Sequence, residues 1–276
     1  MVMQLLEETG YWESVAEEWK KTRPDRLWRE HSDAINTMLL TRWLPTNPAR
    51  CVLKTDTFDE AVGKGLAGLL RAHAHTVVGM DLSFKNLKAA RVGRTAFSGA
   101  NADVRSLPFK DDSIDVVVSN STLDHFASLD EILESLHELH RTLRPGGKLI
   151  LTLDNFANPS IAVRNLLPFS LLNRTGIVPY FIGATCGPRR LRRLLREAGF
   201  KVEEMGAVLH CPRMIAVLAA RLVSAWGTPA IQVYFLRSLQ KFERLSQWPT
   251  RYVTGHFIAI RAEKNRGHAP EECSPG

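Results

Sequence analysis

None of the four cysteines (Cys51, Cys186, Cys211 and Cys273) belongs to a CxxC pair. That excludes a zinc ribbon and a disulfide-stapled fold, and it fits a reducing cytosol. No HxH or HxxxH grouping among the nine histidines comes with paired acids, so no metal site is expected. No run approaches the roughly 18 apolar residues that a membrane-crossing helix needs. The longest candidate, Met214–Trp226, is interrupted by Arg221. The opening Met1-Val2-Met3-Gln4-Leu5-Leu6-Glu7-Glu8 carries acids where a secretory leader needs a basic start, so a cytoplasmic protein is expected. Internal repeats and low-complexity segments are missing too.

What is present is ordinary in bulk. The 276 residues are 45% hydrophobic and 24% charged, enough for one large domain with a sizeable core. Net charge is +7. A solvated surface rich in arginine is the first explanation, and nucleic acid or an anionic membrane surface the second. In the densest basic run, Arg189-Arg190-Leu191-Arg192-Arg193-Leu194-Leu195-Arg196, the leucines recur at i, i+3, i+4. They make a core stripe with the arginines turned outward; a phosphate-binding helix is the alternative.

Residues 11–45 read as helical, with Trp12, Val15, Ala16 and Trp19 on one face and a break at Pro24. A second helix spans Asp25–Leu44. Strands are expected at Arg50–Thr55, Thr76–Asp81, Thr95–Gly99 and Ser113–Ser119, with helices at Ala61–His73 and Ser83–Arg91. Ser128 and Glu131 form a capping box ahead of the stripe Ile132, Leu136, Leu139, Leu143. Pro145-Gly146-Gly147 then turns the chain into the strand Lys148–Asp154. Such alternation implies an α/β fold with a parallel, doubly wound sheet. Residues 155–187, broken by prolines and glycines, suggest an excursion over the cleft. The Arg-rich helix 188–198 ends at Gly199, and strands follow at Phe200–Val208 and Tyr252–Arg261. Between those strands, Pro212–Arg251 reads as two apolar helices split near Gly227-Thr228-Pro229. Residues 264–276 read as a disordered tail.

Residues 101–154 say most. Asn101-Ala102-Asp103 and Leu107-Pro108-Phe109 precede Asp115-Val116-Val117-Val118-Ser119-Asn120, and Arg144-Pro145-Gly146-Gly147 leads the next strand. This order places polar groups at the carboxyl ends of successive strands, where open α/β sheets bind ligands. The stretch closely resembles the second half of the nucleotide-binding domain of class I S-adenosylmethionine (SAM) dependent methyltransferases, of the small-molecule, type 11-like group. The resemblance covers about residues 46–210. It implies a Rossmann-like, mostly parallel, seven-stranded sheet. Residues 1–45 would form a helical cover, and 46–263 the SAM-binding domain with insertions at 155–187 and 212–251 before a tail at 264–276.

The same resemblance assigns roles. Asp81, ending the second strand, would hold the SAM ribose, with Leu82 and Ser83 beside it; a helix N-cap is its other reading, and the two are compatible. Asp103 and Val104 would meet the adenine. Ser119 and Asn120 open the loop beneath the sulfonium. His125 would be a general base oriented by Asp124, or else a cap of the following helix. Tyr11 would reach the methionine carboxylate from the cover. The first glycine loop departs from the family pattern of spaced glycines. In one register Lys54 replaces the motif's aspartate, and Thr55-Asp56-Thr57-Phe58 replaces the turn. In the other the motif is Asp59-x-Ala61-x-Gly63-x-Gly65. The first is preferred, with Thr55, Asp56 and Glu60 as polar substitutes at the methionine end. His31, Asn155 and His210 are expected on the substrate side.

The expected function is SAM-dependent methylation of a small acceptor, lipophilic in view of the apolar helices near 166–182 and 214–236. No nucleic-acid motif is evident. Peripheral membrane contact is open, as is a monomer or homodimer. The alternative is a non-methylating relative, a cyclase or a binding or regulatory module, motivated by the altered loop.

Overall fold

A computed structural model describes residues 2–22, 25–92, 98–174, 178 and 180–265. Seven strands form one sheet: β1 (Ala49–Lys54), β2 (Ala74–Asp81), β3 (Ser98–Asn101), β4 (Ile114–Asn120), β5 (Leu143–Asp154), β6 (Phe200–Val208) and β7 (Phe257–Lys264). Their order is β3-β2-β1-β4-β5-β7-β6. Strands β1 to β5 pair in parallel, and β7 runs antiparallel between β5 and β6. The expected mostly parallel seven-stranded sheet is thus present.

The central strand explains the layering. Every residue of β4, Ile-Asp-Val-Val-Val-Ser-Asn, is buried, as a strand covered on both faces must be. Alternate side chains feed two separate cores. Val116 and Val118 join Val52 and Ile150 beneath α2 (Arg26–Trp43), which contributes Leu27, Ile35 and Leu40. Val117 joins Leu53, Leu149 and Leu151 on the other face, under α6 (Leu129–Thr142) and α9 (Pro188–Glu197). The Ser128–Glu131 capping box starts α6 as the sequence implies. Leu191, Leu194 and Leu195 bury the α9 stripe and leave its arginines exposed.

Several boundaries differ from the sequence reading. The single helix expected over Ala61–His73 is two short ones, α3 (Phe58–Val62) and α4 (Ala67–Ala72). Gly65 separates them at φ +55°, and a Cβ there would lie 2.5 Å from Glu60 Oε1. Tyr252–Thr254 belongs to the helical turn α12 (Arg251–Thr254), so the last strand starts at Phe257. Pro145-Gly146-Gly147 does not interrupt β5; it forms an irregularity within it, where the register to β4 shifts. Lys264 closes β7 rather than opening the tail. Pro24, residues 95–97 and residues 266–276, on which other expectations fell, lie outside the described residues. The remaining helices are α1 (Val2–Thr22), α5 (Phe84–Val92), α7 (Pro159–Leu166), α8 (Phe169–Arg174), α10 (Arg213–Trp226) and α11 (Pro229–Gln240). Helices α10 and α11 pack against α2, while α1 lies against α5 and α3.

Candidate functional site

Strand order reverses direction between β1 and β4, and the crevice at such a switch point opens at the carboxyl ends of the strands. A cavity of about 950 Å³ lies there, lined from α1, α2, the loops after β1, β2 and β4, residues 180–182, and α10. Pockets for small ligands span roughly 300–1,000 Å³, so this one has room for two ligands side by side.

Strand β1 ends at Lys54, which matches the first of the two registers. Lys54 is 2% exposed, and its Nζ lies 2.9 Å from the Asp56 carbonyl, 3.2 Å from Asp56 Oδ1 and 3.0 Å from Glu60 Oε2. Burial works against its charge, but the Asp56, Glu60 and Asp59 carboxylates outweigh burial and raise its pKa. Hydroxyls knit the turn where glycines were expected. Thr55 Oγ1 donates to Ser119 Oγ at 3.0 Å and lies 2.8 Å from Thr122 Oγ1.

Asp81 faces the cavity and holds this turn in place. Its Oδ2 accepts from both the Thr57 amide and the Thr57 hydroxyl at 2.9 Å, and its Oδ1 accepts from the Ser83 amide. Burial pushes its pKa up to about 6, with the Thr57 and Ser83 amides pulling the other way. A carboxylate has about four acceptor positions, so Oδ1 keeps room for one more donor. Asp103 also lines the cavity, but Arg105 grips both its oxygens, and Arg105 reaches Glu8 on α1 and Glu131 on α6 as well. Val104 and Leu82 complete this wall.

The loop after β4 holds polar atoms without partners. Asn120 is 6% exposed, and neither atom of its amide finds a hydrogen bond. Asp124 Oδ2 accepts from Ser121 Oγ at 2.6 Å, while Oδ1 has no partner. An unsatisfied buried polar group costs about 1–3 kcal/mol, so such atoms in a cavity wall point to a ligand. Backbone strain gathers here too. Four described non-glycine residues have positive φ, and three of them, Asp25, Ser121 and Leu209, line the cavity.

His125 is oriented by Phe181. Its Nδ1 lies 3.0 Å from the Phe181 carbonyl, an acceptor only. The proton of the neutral ring therefore sits on Nδ1, leaving Nε2 able to accept one. Phe181 gives its amide to the Tyr11 hydroxyl at 2.7 Å, and burial raises the Tyr11 pKa. Trp12 packs edge-on against His125, and Tyr180 stands among Trp12, Trp19, Phe58 and His125. Gly183 allows the close return of this segment, since a Cβ there would meet the Phe126 carbonyl.

Some expected site residues are elsewhere. Asp124 makes no bond to His125; Phe181 has that role. Glu60 lies behind the turn, pairing with Lys54 and accepting from the Leu66 amide. Ser83 caps α5 by accepting from the Asn86 amide, and Ser119 sits beneath Thr55; both are fully buried and off the cavity wall. His31 is enclosed between Trp28 and Cys211, and burial lowers its pKa to about 4. Asn155 Nδ2 donates to the Tyr252 and Gly255 carbonyls, tying β5 to the turn before β7. His210 bridges Thr254 and the Ala207 carbonyl. These three polar side chains fasten loops rather than face a substrate. Tyr11, Thr55, Asp56, Asp81, Leu82, Asp103, Val104, Asn120, Asp124 and His125 do line the cavity.

The sequence reading takes Phe58 only as part of the turn, and 166–182 and 214–236 only as apolar segments suited to a lipophilic acceptor; it does not single out Phe181 or the α10 wall of Met214, Ile215 and Leu218 as site residues. The Tyr180-Phe181 pair inside a proline-broken excursion was the available signal. Arg213, at the start of that wall, stacks over Trp28 at 5.8 Å and donates to His256 Nε2 at 2.8 Å. Burial lowers the His256 pKa to about 3, so its ring is neutral and accepts.

Residues 60–151 match the methyltransferase domain family. A probable S-adenosylmethionine-dependent methyltransferase of Mycolicibacterium smegmatis is 27% identical over 156 residues, 56% of this chain and 55% of that protein. The malonyl-acyl-carrier-protein O-methyltransferase of Erwinia pyrifoliae is 34% identical over 112 residues, 40% of this chain and 42% of that one. The chain thus spans about half the length of these relatives. Among solved structures, an S-adenosylmethionine-dependent methyltransferase from Mesorhizobium loti shares the fold, with a TM-score of 0.53 and 18% identity over 82% of this chain and 96% of that one. The cyclase SpnF shares it equally, with a TM-score of 0.54 and 19% identity over 84% and 80%. Sheet order, cavity position, matched domain and relatives agree: residues 60–151 match a methyltransferase domain, and the chain resembles class I SAM-dependent methyltransferases in sequence and fold.

Proposed function

We propose that this chain is a SAM-dependent methyltransferase acting on a small, lipophilic acceptor. The observation that carries the reading is the division of the cavity. One half is built from polar groups at the ends of β1, β2 and β4; the other is walled by Phe169, Ile182, Leu209, Met214, Ile215 and Leu218.

The residues present fit the cofactor. Asp81 Oδ1 has capacity for a ribose hydroxyl, Val104 and Leu82 flank the adenine side, and the orphan Asn120 amide and Asp124 Oδ1 await polar partners. Arg29 lies over the Trp19 and Phe58 rings at the cavity wall, and its buried Nε has no partner, which suits a carboxylate at the methionine end. Bound there, SAM supplies an electrophilic methyl group on a sulfonium. Because the leaving group is good, the chain's own work is chiefly positioning. Trp12, Trp19, Tyr180 and Phe58 exclude water around it. His125, with Nε2 free to accept, takes the proton from an acceptor whose nucleophile must lose one. Arg213 adds a fixed cation to the acceptor half.

A second reading rests on the turn after β1. Hydroxyls and a buried ion pair occupy the place of the glycines, and Arg105 holds Asp103, so a non-methylating member that binds SAM weakly or not at all also suits the residues. Calorimetric titration with SAM and its demethylated product separates the two. Micromolar binding is expected; no binding up to millimolar SAM, with or without a lipophilic acceptor, would overturn the first reading.

A further inference from the structure

The chain has 29 acidic residues, yet none lies within 155–182 or 205–242. These two segments hold α7, α8, α10 and α11, and Arg174, Arg237 and Lys241 are exposed on them. They also hold most of the exposed large apolar side chains. Trp226 is 86% exposed, Leu166 78%, Ile215 70% and Tyr234 70%.

Helix α10 shows the pattern most clearly. Ala216 and Ala220 are buried against the core, with Val217 and Val223 packed at its edge. A helix on a water-facing surface turns polar residues outward on its other side. Here Met214, Leu218, Leu222 and Trp226 follow one another at i, i+4, i+8, i+12, and all are exposed. That stripe is roughly 18 Å long at 1.5 Å per residue. Its first half is continuous with the cavity, since Met214, Ile215 and Leu218 both line the cavity and stand open to solvent. The mouth therefore opens onto this face.

We infer that the α7–α8 and α10–α11 insertions form a docking surface for an anionic lipid bilayer. Large apolar side chains interspersed with the exposed cations Arg174, Arg237 and Lys241, with no carboxylate on the segments themselves and the neighbouring Asp25 tied to Arg221, match an acyl boundary beneath anionic headgroups. A Trp at the outer end of the stripe suits the interface, where its ring meets headgroup and hydrocarbon together. A second copy of the chain would set cation against cation. No helix among the described residues is long and apolar enough to cross a membrane, so the contact is peripheral. This surface stands whether or not the cavity transfers methyl groups. Where it does, the surface deepens the proposed function by giving a lipophilic acceptor a path from bilayer to cavity.

The test is co-sedimentation of the whole chain with vesicles of phosphatidylcholine alone or with about a third phosphatidylglycerol. Expected is binding to the anionic vesicles, several-fold weaker binding to the neutral ones, and weakening by salt. The double variant Leu222→Asp, Trp226→Asp should bind the anionic vesicles about tenfold less or worse. Neither residue lines the cavity, so its thermal midpoint and SAM affinity should match the wild type, which keeps this test separate from the methyltransferase reading. Wild type left in the supernatant with anionic vesicles would overturn the inference. So would undiminished binding by the double variant. Should that variant fail to fold, Trp226→Ser alone replaces it, with the same two outcomes.

Discussion

The two halves of the cavity are built by opposite means. At the ends of β1, β2, β3 and β4, most polar groups are engaged with one another: Lys54 with Asp56 and Glu60, Thr55 with Ser119, Asp81 with Thr57 and Ser83, Asp103 with Arg105. Across the cavity, the wall from α8 and α10 is apolar and half exposed, and it makes few directional bonds. The first half is preorganised and is intolerant of change. The second offers only size and shape for selecting a ligand, where one methylene counts for about 1–3 kcal/mol. A fixed cofactor beside a variable acceptor is what such a division allows.

The comparison breaks most sharply at Lys54. Lys54→Met leaves two carboxylates facing each other in a buried turn, and removing one partner of a buried pair costs about 3–5 kcal/mol. Denaturant unfolding should show that loss, and SAM titration should show no binding. Stability within about 1 kcal/mol of wild type would mean the turn is not held by this pair.

His125→Ala probes the seam between the halves. With an acceptor that must lose a proton, turnover should fall about 100-fold or more, the usual contribution of a general base. SAM affinity should stay near wild type. Equal turnover in the variant would reduce His125 to a packing partner of Trp12 and Tyr180.

Asp81→Asn sharpens the polar side. The new amide sets an NH2 group against either the Thr57 or the Ser83 donors, at a cost of about 1–3 kcal/mol, so SAM affinity should drop about tenfold or more. The wild type adds a pH signature. With a pKa near 6, Asp81 is largely protonated at pH 5 and ionised at pH 7. Only the ionised form accepts at every oxygen position, so affinity should rise across that interval in the wild type. A rise of the same size in Asp81→Asn would assign the titration to another group.

Leu218→Ala should do least to the fold. The side chain is 60% exposed, so the midpoint of unfolding should barely move. Preference among acceptors of different chain length should shift toward bulkier ones. An unchanged ranking would place the acceptor away from α10.

The same contrast explains what the sequence could convey. Wherever the determinant is local, it was legible. The valine run of β4, the Ser128–Glu131 box and the leucines of α9 each define an element within one or two turns of chain. Asp81 and Asp103 were legible as strand-end acids and do line the cavity. His31, Asn155 and His210 failed because their partners are remote. Asn155 bonds carbonyls 97 and 100 residues away, and His31 meets Cys211 across 180. Nothing in a single sequence distinguishes a polar residue fastening two loops from one facing a ligand. Two short helices replaced one because Gly65 takes a left-handed conformation, which composition alone does not announce.

One residue joins the cover to His125. The amide of Phe181 is held by Tyr11 on the cover helix, and its carbonyl fixes the ring of His125. Phe181 thus ties the cover to the ring of His125 through its N–H on one side and its C=O on the other, which belong to two successive peptide units. A motion that swings α1 aside to admit a ligand would break the Tyr11 contact and leave Phe181, which orients His125, without its support from the cover. In its proposed role as base, His125 would then be held in place only while α1 covers the cavity, so proton removal and exposure to water would exclude one another.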